Sequence, residues 1–131
     1  MYQRSVNASN GCVDIAIDYA FAQEGKPYSD LPCYNRTGEC CRFGPNCFDS
    51  AGLIYVAYRQ ARQKVPPTHQ GYPGGLKSVG VGNAKPGDIL WRSGHVGLLG
   101  KNDKVVHLSN PNRGVYILSL SNFKQFLQTH I

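Results

Sequence analysis

Four cysteines, Cys33, Cys40, Cys41 and Cys47, fall within fifteen residues, in a segment otherwise rich in Gly, Pro, Asn and Arg. Such a stretch has too little apolar surface to fix itself by burial, so it needs cross-links. Four thiolates could hold zinc. Yet the paired C-x-x-C knuckles of zinc sites are missing, and adjacent Cys40 and Cys41 fit poorly into one tetrahedron. Disulfides are therefore expected, and with them an oxidising, secreted or extracytoplasmic location. A bond between sequence neighbours is strained, so Cys40 and Cys41 are expected to pair outward with Cys33 and Cys47. Cys12 is left over, as a buried thiol or as a rival for one of those partners. Neither a metal nor a cofactor is expected.

The 131 residues suffice for one domain, 1–131, with one hydrophobic core. Apolar residues make up 41% of the chain, enough for a packed globule. No apolar run approaches the roughly 20 residues of a membrane span. Met1 is followed by polar residues rather than the apolar core of a signal peptide, so the chain reads as cytosolic or as a mature domain. The cysteines favour the second. A net charge of +6 suits polyanionic partners. The basic residues are scattered, however, with no Lys/Arg run and no aromatic–basic alternation, so nucleic acid is not an expected partner. Sequons at Asn7 and Asn35 are no more than chance supplies.

Hydrophobic spacing predicts a helix over 10–24, with Val13, Ile17, Ala20 and Phe21 as its stripe and Asn10 as its cap. Gly25 ends it. A long loop follows over 26–48, whose cysteine-rich part, 29–48, precedes a second helix over 50–63. That helix presents Leu53, Ile54, Ala57, Tyr58 and Ala61 on one face, with Asp49 placed to cap it. Residues 64–87 read as irregular. Four short strands are expected at 88–92, 95–99, 104–109 and 115–120, then a helix from about Ser121 burying Phe123, Phe126 and Leu127. The order implies an α+β fold with the helices on one side of an antiparallel meander.

Three segments carry candidate chemistry: Asn46-Cys47-Phe48-Asp49-Ser50-Ala51-Gly52-Leu53-Ile54, Lys85 to Trp91 with Gly94 to Gly100, and Val105-Val106-His107-Leu108-Ser109. Singly each is weak, since Pro-Gly-Asp is an ordinary turn and a strand histidine is commonly structural. Together they are informative. If 95–99 and 104–109 form a hairpin with an odd-numbered loop, His95 and His107 share a face. A three-residue loop at 100–102 would set them directly opposite each other, within hydrogen-bond reach. One imidazole to take a proton and a second group to orient it are what a nucleophile needs. The nucleophile would sit at the start of helix 50–63, where backbone N–H groups and the helix dipole stabilise a thiolate and an oxyanion.

These segments resemble the papain-like cell-wall peptidases of the NlpC family. That family reads Phe-Asp-Cys-Ser/Ala-Gly-Leu at its nucleophile, then Pro-Gly-Asp-Leu, a His-Val-Gly-Ile strand and a third polar residue one strand later. Phe48-Asp49-Ser50-Ala51-Gly52-Leu53 matches except at the cysteine. Pro86-Gly87-Asp88-Ile89, His95-Val96-Gly97-Leu98 and His107 match in order, and Gly25-Lys26-Pro27-Tyr28 resembles the family's Gly-x-Pro-Tyr. The similarity covers about residues 12–120. It implies a peptidase acting on peptidoglycan stem peptides, commonly between D-glutamate and a diamino acid. Position 50 would be the nucleophile, His95 the base and His107 its orienting group. The backbone N–H at position 50 and Tyr28 would hold the oxyanion. A monomer is expected.

Ser50 stands where the cysteine belongs, and its hydroxyl is a poor substitute for a ready thiolate. The chain is therefore expected to be inactive, either as a Cys-to-Ser replacement or as a natural pseudoenzyme that binds cell wall. Cys47 lies three residues early, before the helix, and belongs with the disulfide cluster. An interbacterial amidase toxin would use the same chemistry. A lipid acyltransferase fits less well, because its histidine usually precedes its cysteine. A disulfide-stapled structural domain would leave the His95/His107 spacing unexplained.

Overall fold

The computed structural model describes residues 2–4, 10–32, 40–68, 77–79, 83–92, 95–108 and 113–129. In chain order these form β1 (Tyr2–Arg4), α1 (Asn10–Phe21), α2 (Ser50–Gln60), β2 (Lys77–Val79), β3 (Ile89–Arg92), β4 (His95–Leu99), β5 (Lys104–Leu108), β6 (Val115–Ser119) and α3 (Leu120–Thr129). The sheet is antiparallel, ordered β2-β1-β3-β4-β5-β6. The four expected strands form its β3–β6 meander. β1 and β2 extend it on the β3 side, and β2 lies inside the stretch read as irregular. Among the described residues no helix is long and apolar enough to cross a membrane.

The helices occupy both faces of this sheet, which corrects the expectation that they share one. Side chains alternate across a strand. Val96 and Leu98 of β4, with Val106 and Leu108 of β5, pack with Ala16 and Ala20 of α1 and with Leu53, Ile54, Ala57 and Tyr58 of α2. Leu99 and Val105 point the other way, onto Phe123 of α3. The residues expected to line α2 are all buried. Phe123 is buried as expected, whereas the side chains of Phe126 and Leu127 lie outside the described set. Asn10 is the first residue of α1 rather than its cap. That helix stops at Phe21, and the turn after it ends at Gly25, whose φ of +92° suits glycine.

The motif Lys85-Pro86-Gly87-Asp88 starts β3. Asp88 N–H donates to Lys85 O at 2.9 Å, and Gly87 has φ +94°, which together make a proline–glycine type II turn. Gly87 N–H then donates to Leu99 O at 2.7 Å and Leu99 N–H to Asp88 O at 3.0 Å, a glycine bulge that delivers the chain into β3. A side chain at Gly87 would also meet Val13 Cγ1 at 2.5 Å. The buried Asp88 carboxylate accepts Lys85 N–H at 2.8 Å, and the Tyr58 hydroxyl donates to Gly87 O. Burial, with Asp88 nearby, pushes the Tyr58 phenol pKa upward and keeps it a donor.

A disulfide joins Cys40 to Cys47 and closes a loop of the cysteine-rich segment. Cys41 is also disulfide-bonded, whereas Cys12 is not. Cys33 lies outside the described residues. Non-reducing peptide mapping is expected to recover a Cys40–Cys47 cross-linked peptide. Stoichiometric zinc with all four clustered thiols free would contradict the structure.

Candidate active site

Ser50 opens α2, and the residues around it explain the local sequence. Phe48 is fully buried and anchors the approach. Asp49 caps the helix: its Oδ1 accepts Gly52 N–H at 2.6 Å from an extended backbone. Position 52 must be glycine, because a Cβ there would sit 2.1 Å from the carbonyl oxygen of Arg42. That oxygen belongs to backbone and cannot swing away. Gly52→Ala is therefore expected to cost about 2–3 kcal/mol, seen as a lower urea midpoint; an unchanged midpoint would mean the loop yields freely.

The approach to the helix is pinned on both sides. Phe48 N–H donates to Pro27 O at 3.1 Å and Ser29 N–H to Phe48 O at 2.9 Å, which sets Tyr28 beside Phe48 in a parallel bridge. Val115 N–H donates to Lys26 O at 2.8 Å and Gly25 N–H to Val115 O at 2.8 Å, tying the same segment to the start of β6. Gly25-Lys26-Pro27-Tyr28 is thereby held between α2 and the sheet. Tyr28 is half-buried, and its phenol pKa is raised, chiefly by burial and then by Asp30 and Asp49.

The two histidines come from adjacent strands. His107 faces Gly97, and the hairpin turns through Lys101–Asp103, with Asn102 and Asp103 both at positive φ. The loop has the odd length expected but starts one residue later than 100–102. His95 and His107 therefore lie diagonally on one face rather than directly opposite. Their rings still meet: His95 Nε2 and His107 Nδ1 are 2.9 Å apart, with the ring planes at 81°.

His107 is 1% exposed. Burial first, then the nearby His95 and Arg113, lower its pKa from 6.5 to about 3. It is thus a neutral imidazole at ordinary pH. As a neutral ring it can accept at Nδ1 while His95 donates from Nε2, the tautomer pairing that leaves His95 Nδ1 to act as a base.

Phe123 and Tyr116 complete the setting, and neither was singled out as a site residue from sequence. The Phe123 ring lies 4.9 Å from the His107 ring and 5.7 Å from that of His95. Tyr116, directly opposite His107 on β6, packs its tilted ring 4.2 Å from that of His107. Gly97 makes room, since a Cβ there would meet Phe123 Cζ and Val105 Cγ1 at 2.8 Å each. The glycine of His95-Val96-Gly97 was the only sequence signal for this close approach.

Ser50 reaches the same end of the sheet from the other face. Its hydroxyl donates to Leu108 O at 2.6 Å and accepts Leu108 N–H at 3.3 Å. Leu108 follows His107, which pairs with Gly97 of β4, and itself pairs with Val115 of β6. The serine thus satisfies both backbone groups of Leu108 and ties the start of α2 to β5, and neither of these bonds goes to His95. The structure brings Ser50 to the residue after His107, and His107 to His95.

Solved structures share this architecture. The NlpC/p60 domain of the peptidoglycan hydrolase SagA matches with a TM-score of 0.68 at 21% identity, over 85% of this chain and 92% of that one. NlpC1 from Trichomonas vaginalis matches at 0.66 and 20% identity, over 92% of this chain but only 43% of that chain, so this chain spans less than half of that protein. RipD from Mycobacterium tuberculosis, described as a non-catalytic NlpC/p60 domain protein adapted to peptidoglycan binding, matches at 0.61 and 25%, over 82% and 87% of the two chains. No family model and no curated protein matches the sequence. The chain has the papain-like NlpC/p60 fold that its motifs led one to expect.

Proposed function

We propose that this chain is a single peptidoglycan-directed domain with the acyl-transfer site of a cysteine endopeptidase and no nucleophile in it. As it stands it binds stem peptides without cutting them. With cysteine at position 50 it cleaves a stem-peptide amide, between D-glutamate and a diamino acid. The observation that carries this reading is the 2.9 Å contact between His95 Nε2 and the buried, neutral His107, one residue from where Ser50 docks.

In the cysteine form, the thiolate at position 50 attacks the amide carbonyl while paired with protonated His95. The first N–H groups of a helix have no intrahelical acceptor. Asp49 uses the one at Gly52, which leaves that of Ser50 for the oxyanion; Tyr28, bridged to Phe48 just before the helix, would assist it. His95 then protonates the departing amine, and water, deprotonated by His95, releases the acyl group. His107 accepts the His95 Nε2 proton in a hydrogen bond throughout and fixes that ring.

The non-catalytic description of RipD favours binding as the present role. Both parts are tested with purified peptidoglycan. The chain is expected to co-sediment and release no fragments, and its Ser50→Cys form is expected to release fragments whose masses identify the bond. A folded Ser50→Cys form that releases nothing from several wall chemotypes would remove the peptidase reading. Absence of co-sedimentation would remove the binding one.

A further inference from the structure

We infer that Arg42, inside the disulfide-closed loop, cancels the charge of Asp49 and so favours a thiolate at position 50 when that residue is cysteine. The inference rests on the proposed reading of position 50 and gives the cysteine-rich segment a part in it.

The helix start contains a conflict. Asp49 is the cap that α2 needs, but its carboxylate belongs to the residue just before position 50. A negative charge there opposes formation of a second one and offsets the favourable helix dipole. Arg42 answers it with a fork: Nε lies 2.6 Å from Asp49 Oδ2, and Nη2 lies 3.3 Å from Oδ1. The side chains are only 16% and 19% exposed, so solvent screens the pair weakly.

The guanidinium is held from several directions. Its second amino group also donates to Pro67 O, and the Phe43 ring lies 4.3 Å beneath it. The Arg42 backbone is fixed as well. Its N–H donates to Leu31 O at 2.9 Å, and its carbonyl accepts Asp49 N–H at 3.2 Å. The Cys40–Cys47 bond closes the loop around it. Other charged or titratable groups near the helix start are Asp30 and Tyr28 on the preceding segment, with His95 and His107 across the site. Arg42 is the cation among these that binds the cap directly. It is a positioning residue, acting on the nucleophile through Asp49.

The test is the pH dependence of iodoacetamide alkylation of the full Ser50→Cys chain, with peptide mass mapping to separate position 50 from Cys12. Alkylation needs no peptidoglycan, so its outcome is independent of whether the chain is a peptidase. Arg42→Gln is expected to move the profile to higher pH and slow alkylation about tenfold near pH 6. Asp49→Asn, which keeps a capping side chain, is expected to move it to lower pH. The double variant should lie near the parent. A merely structural role would shift both single variants the same way and make the double the worst. That pattern, or an unchanged profile for both single variants, overturns the inference. Should Arg42→Gln fail to fold, the direction of the Asp49→Asn shift decides alone.

Discussion

Replacing Ser50 by cysteine is expected to raise stem-peptide cleavage by about three orders of magnitude or more over the present chain, since nucleophile and base act as a unit. The proposed gain draws on the helix start, the Asp49 cap and the paired rings at 2.9 Å. In that background His95→Ala should remove most of the gain, about 10²- to 10⁴-fold, because the thiolate loses its proton acceptor. His107→Ala should cost less, and His107→Asn less again, because an amide oxygen can still accept from His95 Nε2. The ordering is diagnostic. If His107→Ala is more damaging than His95→Ala while both variants fold, the two rings have been given the wrong roles.

Acid should weaken the fold through His107. In the folded chain this ring resists protonation until about pH 3, whereas an unfolded histidine protonates near 6.5. Between those values the unfolded state binds the extra proton, so stability falls as pH falls from about 6.5 toward 3. The loss is on the order of 4 kcal/mol over the whole window. Carboxylates add their own acid dependence, so the informative measurement is a difference. Urea midpoints at pH 7 and pH 4 should diverge for the parent, and the divergence should shrink in His107→Phe, which keeps a ring among Tyr116, Phe123 and His95. Equal divergence in both proteins would mean that His107 is protonated more easily than its burial implies.

The legible parts of this molecule are those whose chemistry is local. A capping Asp49, a Pro86-Gly87 turn and an apolar stripe on α2 each act over a few residues, so their spacing alone reveals them. The common face of His95 and His107 was legible because strand periodicity is strict. Their diagonal offset was not. It depends on the turn spanning Lys101–Asp103, with Asn102 and Asp103 in the left-handed region, rather than starting at Gly100. β1 and β2 were missed because three residues cannot display an alternating pattern, and β1 pairs with β3 more than eighty positions away. The face taken by α3 was misjudged for a related reason: an apolar stripe says that a helix packs, and not on which side of a sheet. Arg42 gave no signal at all, since a single arginine in a loop looks like solvated charge until its partner is seen.

The hydroxyl of Ser50 has a consequence for the history of such a site. It ties the start of α2 to β5 with two hydrogen bonds to Leu108, each contributing about 1 kcal/mol. A thiol is larger and weak as both donor and acceptor, so it would do this riveting badly. On the proposed reading, sulfur at position 50 makes the chemistry possible at some expense to the frame, and oxygen does the reverse. A lineage that stopped needing the reaction would drift toward serine on folding grounds alone, and would arrive at a sturdier protein with its former workshop still furnished.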